Sequence, residues 1–159
     1  MSKSATHPSA AETLRKLEDR WTKPLIDAGW TAIPSIFIEK QAALGLDAID
    51  MNILVHLSKY WWKADNLPHP SVATIAAAIG IKPRAVQKRM KALEGLGFIT
   101  RHARRTAFGD NDTNLYSFEG LIKAAAPYAV EKIAAREKRD QEERERVARK
   151  RPKLALVES

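Results

Sequence analysis

The chain has 159 residues, 27 Lys and Arg against 19 Asp and Glu, a net charge of +8 and no cysteine. That length suits one compact unit with extensions, and the missing cysteine excludes disulfides, thiolate metal sites and cysteine nucleophiles. No apolar run is long enough to span a bilayer and MSKSATHPSAAE at the start has no apolar signal segment, so a soluble, cytoplasmic protein is expected.

Residues 1–8 read as a polar tail. From Ala10 to Trp21, Leu14, Leu17 and Trp21 recur three and four apart, which predicts a helix that Pro24 and Gly29 end. The stripe is expected to pack on its own domain, with a second copy as the alternative. WTAIPSIFI, residues 30–38, predicts a short extended piece followed by a turn or short helix, with Trp30, Ile33, Ile36 and Phe37 in the core. Residues 47–63 predict a helix opened by an Asp47–Asp50 capping box. Its inner face comprises Ile49, Ile53, Leu54, Leu57 and Tyr60 or Trp61. Three consecutive aromatics, Tyr60-Trp61-Trp62, cannot all point to one side of a helix, so one is expected outside. NLPHP, residues 66–70, is a stiff extended connector.

The stretch 71–97 carries the most information. Ser71 is a good N-cap. Ile75, Ala76 and Ile79 form an apolar stripe, and Gly80 suits a left-handed C-cap. Ile81 plugs the corner, and Pro83 fits the first turn of a second helix. In that helix Val86, Met90 and Leu93 lie on one side, with Arg84, Lys88 and Lys91 opposite and Gln87 on the flank. A cationic, amide-bearing helix held at a sharp corner suits the DNA major groove. Lys82, Arg84, Lys88, Arg89, Lys91, Arg101, Arg104 and Arg105 stand against the single acid Glu94 between positions 82 and 105, most of the chain's net charge. Such a stripe points to a polyanionic partner.

FITRHARR (98–105) and TNLYSF (113–118) flank Gly109-Asp110-Asn111-Asp112 and read as a β-hairpin, with Phe98, Leu115 and Phe118 covering the core. The acids at its tip argue against deep insertion of the tip. A helix from Glu119 to Ala126 follows, capped by Ser117, then a restart at Pro127 and a polar helix over 128–150. That second helix holds i,i+4 pairs 136–140, 138–142, 139–143, 140–144, 142–146 and 145–149. The basic end 149–153 suits weak DNA affinity or solubility, and 154–157 is a small apolar terminus.

The run PSVATIAAAIGIKPRAVQKRMKALEGLGFITR resembles the winged helix-turn-helix domains of bacterial transcriptional regulators and of phage and plasmid replication proteins. The likeness spans about residues 44–121 and rests on Ala76, Gly80 and Val86 and on L-E-x-x-G followed by two hydrophobics, x and Arg. Lys82 replaces the usual Ser or Thr cap. Arg89 replaces an apolar residue, which implies a slightly rotated recognition helix with Met90 filling the core. Asn114 and Tyr116 match an Asn-x-Tyr pattern in the second wing strand, read as structural.

The resemblance implies a mainly α fold with a small β-hairpin wing and, after it, a long charged C-terminal helix. It divides the chain into an N-terminal helix and lead-in (1–43), a winged helix-turn-helix (44–126) and a helical tail (127–159). The implied function is sequence-specific double-stranded DNA binding, as a regulator acting as a homodimer. Lys82, Arg84, Gln87, Lys88, Lys91, Arg101, Arg104 and Arg105 are the contact residues. A replication-initiation role is the alternative, supported by the lead-in 30–38. A protein-binding winged helix is an alternative of another class. The histidines at 7, 56, 69 and 102 are scattered, and no catalytic constellation, metal set, cofactor loop or small-molecule site is legible, so no enzyme is expected.

Overall fold

The computed structural model describes residues 9–105 and 113–149. Its helices are α1 (Ala10–Trp21), α2 (Lys23–Asp27), α3 (Ser35–Glu39), α4 (Ala48–Lys59), α5 (Val72–Ile79), α6 (Pro83–Gly95) and α7 (Glu119–Ala148). Two strands, β1 (Thr100–His102) and β2 (Leu115–Ser117), pair antiparallel with Arg101 opposite Tyr116. This is a mainly helical winged helix-turn-helix fold with a small hairpin and a long last helix.

The capping box of α4 forms in full. Asp47 Oδ1 accepts the N–H groups of Ile49 and Asp50 at 2.8 Å each, and Asp50 Oδ2 accepts the Asp47 N–H at 3.0 Å. From α4 the buried residues Ile53, Leu54 and Leu57 meet Ile75 and Ala76 of α5, and Val86, Met90 and Leu93 of α6. The hairpin and α7 close the core with Ile99, Tyr116, Phe118, Leu121 and Ala125. Ile49 is only half-buried.

Alternation in the hairpin runs one position away from the expected one. Ile99 and Tyr116 are buried, whereas Phe98 and Leu115 are half-buried. Burial pushes the Tyr116 hydroxyl up from its ordinary range, and Asn114 hydrogen-bonds to it, which fits the structural reading of Asn-x-Tyr. Pro68 and Pro70 of the connector are buried, and the Tyr116 N–H donates to the Pro68 carbonyl at 2.9 Å.

Elsewhere the fold departs from expectation. Helix α4 stops at Lys59, and Lys63 pairs with Asn66 in an isolated bridge. Leaving the helix frees the three aromatics to diverge. Trp61 stacks on Phe118 with ring centroids 5.2 Å apart, and Trp62 turns out to meet Trp30 edge-on at 5.9 Å. Trp30 thus joins a surface pair, Ile36 and Phe37 are half-buried against the core, and Ile33 is half-buried.

Pro24 opens α2 instead of ending α1, because a proline fits a helix's first turn. The break lies at Thr22, in the left-handed region at φ +70°. No residue of α1 is buried, so its stripe does not pack on the domain as expected.

Helix α7 does not restart at Pro127. It runs 30 residues through that position, which faces solvent. Both sides of the proline are anchored. Leu121 and Ala125 are buried before it; after it Tyr128 packs on the core under Lys40, and Lys132 pairs with Glu39 at 2.5 Å. The missing N–H and ring clash are outweighed by those contacts. Of the six tail pairs only Lys138–Glu142 forms, at 4.0 Å; Arg146 takes Glu143 at i,i+3 instead of Glu142. Ser117 Oγ does accept the Glu119 N–H, at 3.3 Å. The N-terminal tail 1–8, the hairpin tip 109–112 with its acids, and the terminus 150–159 with its basic and apolar stretches lie outside the described residues.

Gly120 lets the start of α7 touch the turn after α6. A Cβ there would lie 1.6 Å from the Gly97 carbonyl oxygen, and the next N–H, of Leu121, bonds the Phe98 carbonyl at 2.9 Å. Gly to Ala inside a helix ordinarily stabilises by about 0.5–1 kcal/mol. Here the sign reverses: Gly120→Ala is expected to cost about 1–3 kcal/mol through forced backbone movement, measured by urea denaturation.

Candidate nucleic-acid interface

The corner between α5 and α6 is set by main-chain groups. Ser71 Oγ accepts the Thr74 N–H at 3.0 Å and starts α5. Gly80 ends it at φ +80°, and the Ala76 carbonyl accepts both the Gly80 N–H at 2.9 Å and the Ile81 N–H at 3.1 Å. A side chain with Cβ is disfavoured at that φ, which is why glycine holds the position. Pro83 then opens α6, and Lys82 caps it without a side-chain hydrogen bond.

Val86, Met90 and Leu93 are 0%, 4% and 1% exposed, so α6 is fastened by one face. The other face is open. Lys82, Arg84, Gln87, Lys88 and Lys91 are all exposed, and with Ala85 they line one shallow concavity. Among the described residues none of these four cations has an acidic partner. The surface therefore offers uncompensated positive charge and one amide at the positive end of a helix dipole, a suitable setting for anionic groups.

The other basic residues divide differently. Arg101 is exposed on β1, but its Nε lies 3.5 Å from Glu94 Oε1, which ties the wing to α6. Arg104 is half-buried and Arg105 exposed; they follow β1 at the end of the described part of the first wing arm. The structure thus brings Lys82, Arg84, Gln87, Lys88 and Lys91 together, with Arg101, Arg104 and Arg105 on the neighbouring hairpin.

Arg89 belongs to none of this surface. Its Nη1 reaches Asp47 Oδ2 at 2.5 Å and Asp50 Oδ1 at 3.7 Å, joining α6 to the capping box of α4. The guanidinium finds two carboxylates while Val86, Met90 and Leu93 keep the core face, with Met90 filling the core as expected. Asp50 is the buried acid of the described core, and its Oδ1 has no hydrogen-bond partner, so Arg89 supplies its nearest positive charge. In sequence, the only sign of this cluster is the doubled acid at the start of α4.

A bent helix pair, a core-facing third helix in front of it and a hairpin behind it define a winged helix-turn-helix protein. Residues 44–99 match the family model of a helix-turn-helix domain. No curated protein matches the chain. Among solved structures, the N-terminal domain of DnaD protein from Geobacillus kaustophilus HTA426 is similar, at 16% identity and a TM-score of 0.52, over 78% of this chain and 96% of that one. YusO protein from Bacillus subtilis aligns at 22% identity and a TM-score of 0.41, over 81% of this chain and 83% of that one. Among the described residues no group of His, Cys, Asp or Glu has metal-binding geometry, and no helix is long and apolar enough to cross a membrane.

The Asp47 carboxyl is held below its ordinary range, first by the Asp50 N–H and further by Arg89. A lowered folded-state value means stabilisation present above the unfolded value of about 3.9 and lost as pH falls through the folded one. Asp47→Ala is expected to lower stability near neutrality by about 0.5–2 kcal/mol. Asp47→Asn keeps a cap but loses the charge, so its deficit against the parent should shrink to nothing in acid; thermal melts across pH check both.

Proposed function

We propose that the protein is a sequence-specific double-stranded DNA-binding protein, a bacterial, plasmid or phage transcriptional regulator that lays α6 in the major groove. The observation that carries this reading is the face of α6, where four unpaired cations and Gln87 stand clear of the core on a helix fixed by its opposite side. Gln87 is suited to adenine, and Arg84 or Lys88 to guanine, by two-point contacts with base edges. Lys82 and Lys91 neutralise phosphates, and Arg101, Arg104 and Arg105 of the wing reach the backbone or the minor groove. Two copies acting together would read half-sites about 34 Å apart. The protein works as a binder without catalysis or a cofactor, in the cytoplasm on the nucleoid.

The replication-initiation reading is kept as the second, on the resemblance of the lead-in 30–38 and of the domain order to that branch. Selecting bound fragments from a genomic library separates the two, since promoter sites favour regulation and a repeat array at an origin favours initiation.

Arg84→Ala with Lys88→Ala is expected to abolish footprint protection at the selected site and leave stability within about 0.5 kcal/mol, as for exposed positions generally. Lys82→Ala should weaken specific and random duplex alike and reduce the salt slope by about 0.9 for one lost phosphate contact. Retained protection in the double variant overturns the assignment of α6. An absence of salt-sensitive duplex affinity in the parent chain would instead favour a protein-binding winged helix.

A further inference from the structure

Two apolar surfaces of this chain are left open among the described residues. The first is convex. Helix α1 has no buried residue, and along it Ala10, Leu14, Leu17 and Trp21 recur at intervals of four, three and four. Trp21 is 54% exposed, and Leu25 of α2 lies exposed beyond it.

The second is concave. A cavity of about 400 Å³ runs between residues 32–37, α4 and α7, with Ile33, Phe37, Val55, Trp61, Ile122 and Ala129 among its walls. None of its lining side chains is charged, and the hydroxyl of Ser58 in its wall already donates to the Leu54 carbonyl at 2.8 Å. The α7 wall continues the apolar strip past the cavity. Ile122, Ala126, Ala129 and Ile133 recur at four, three and four, the same spacing as α1. Ile122 and Ile133 are about half exposed. Alternating three and four is the period by which two helices interlock along a seam. Each strip spans eleven residue-to-residue steps, about 16 Å of helix.

We propose that α1 of one copy seats in the α4–α7 groove of a second copy, and the second returns its own α1 to the first. The chain's own α1 lies clear of its groove, so the helix that fills the groove comes from a partner. Each seating covers the exposed parts of Leu14, Trp21 and Leu25 on the helix side (39%, 54% and 60% exposed) and of Val55, Ile122 and Ile133 on the groove side (36%, 46% and 48%). The exchange makes that contact twice, which is what brings it toward the roughly 1,200–2,000 Å² of a stable interface. Laying an amphipathic helix in an apolar groove is a common mode of recognition. The exchange leaves the α6 face free, so it deepens the pairing proposed above without depending on DNA binding.

Sedimentation equilibrium of the full chain tests this apart from any DNA. The parent chain is expected at twice the 17.8 kDa chain mass. Trp21→Glu on the helix side and Ala129→Glu on the groove side should each sediment as monomers with melting curves close to the parent's, since neither residue is in the core. Mixed in equal amounts, the two variants should associate more weakly than the parent, because only one of the two contacts joins an intact α1 to an intact groove. A monomeric parent or a dimeric single variant overturns the proposal, the first of these also covering an α1 that folds into its own groove.

Discussion

The carbonyl oxygen of Ala76 accepts two N–H groups, from Gly80 and Ile81, and that doubly used acceptor sets the corner on which the surface of α6 depends. It requires a left-handed residue at 80 and an inward-turned Ile81, which packs on the core. With the corner set and Val86, Met90 and Leu93 buried, α6 has no freedom to turn about its own axis. Its outward residues are therefore decided by those that face in. Any change that loosens the inner face re-aims Arg84, Gln87, Lys88 and Lys91 together.

The basic residues of this region fall into two physical groups. Lys82, Arg84, Lys88 and Lys91 are hydrated, unpaired and mutually repelling, so they carry potential and contribute little to stability. Arg89 and Arg101 are paired with acids and act as struts, one from α6 to α4 and one from the wing to α6. Exposed pairs of this kind contribute modestly, but both span separate elements and so constrain geometry beyond their energy. Counting positive charge along the chain overstates the field at the surface, because it does not separate cations facing solvent from those facing Asp47, Asp50 and Glu94.

The helix-turn-helix was legible because its determinants are local. Ser71, Gly80 and Pro83 each impose a backbone state through their own covalent structure, and the apolar spacing of α5 and α6 follows from helical period alone. The capping box was legible for the same reason. What escaped was tertiary. Arg89 looks like one more surface cation until α4 brings two carboxylates beside it. Pro127 looks like a break until Tyr128 and Lys132 are seen docked on the far side of it. The parity of the hairpin depended on which strand residues meet α6 and the Pro68 carbonyl, and alternation alone does not choose between Leu115 and Tyr116. In α1, periodicity correctly indicated a helix with an apolar face but carried no information about what that face touches.

Helix α7 has a geometric consequence of its own. Among the described residues its last ion pair with the body is Lys132–Glu39, and it continues to Ala148, about 24 Å further along the axis. Over 136–148 five basic residues balance five acidic ones. This outer length is therefore an electrically neutral spacer, neither drawn toward a polyanion nor driven from it. The outer end of the rod at Ala148 is held at a set stand-off from the globular body, with its bearing determined by the dock of Tyr128 and Lys132 and not by the charges along the rod.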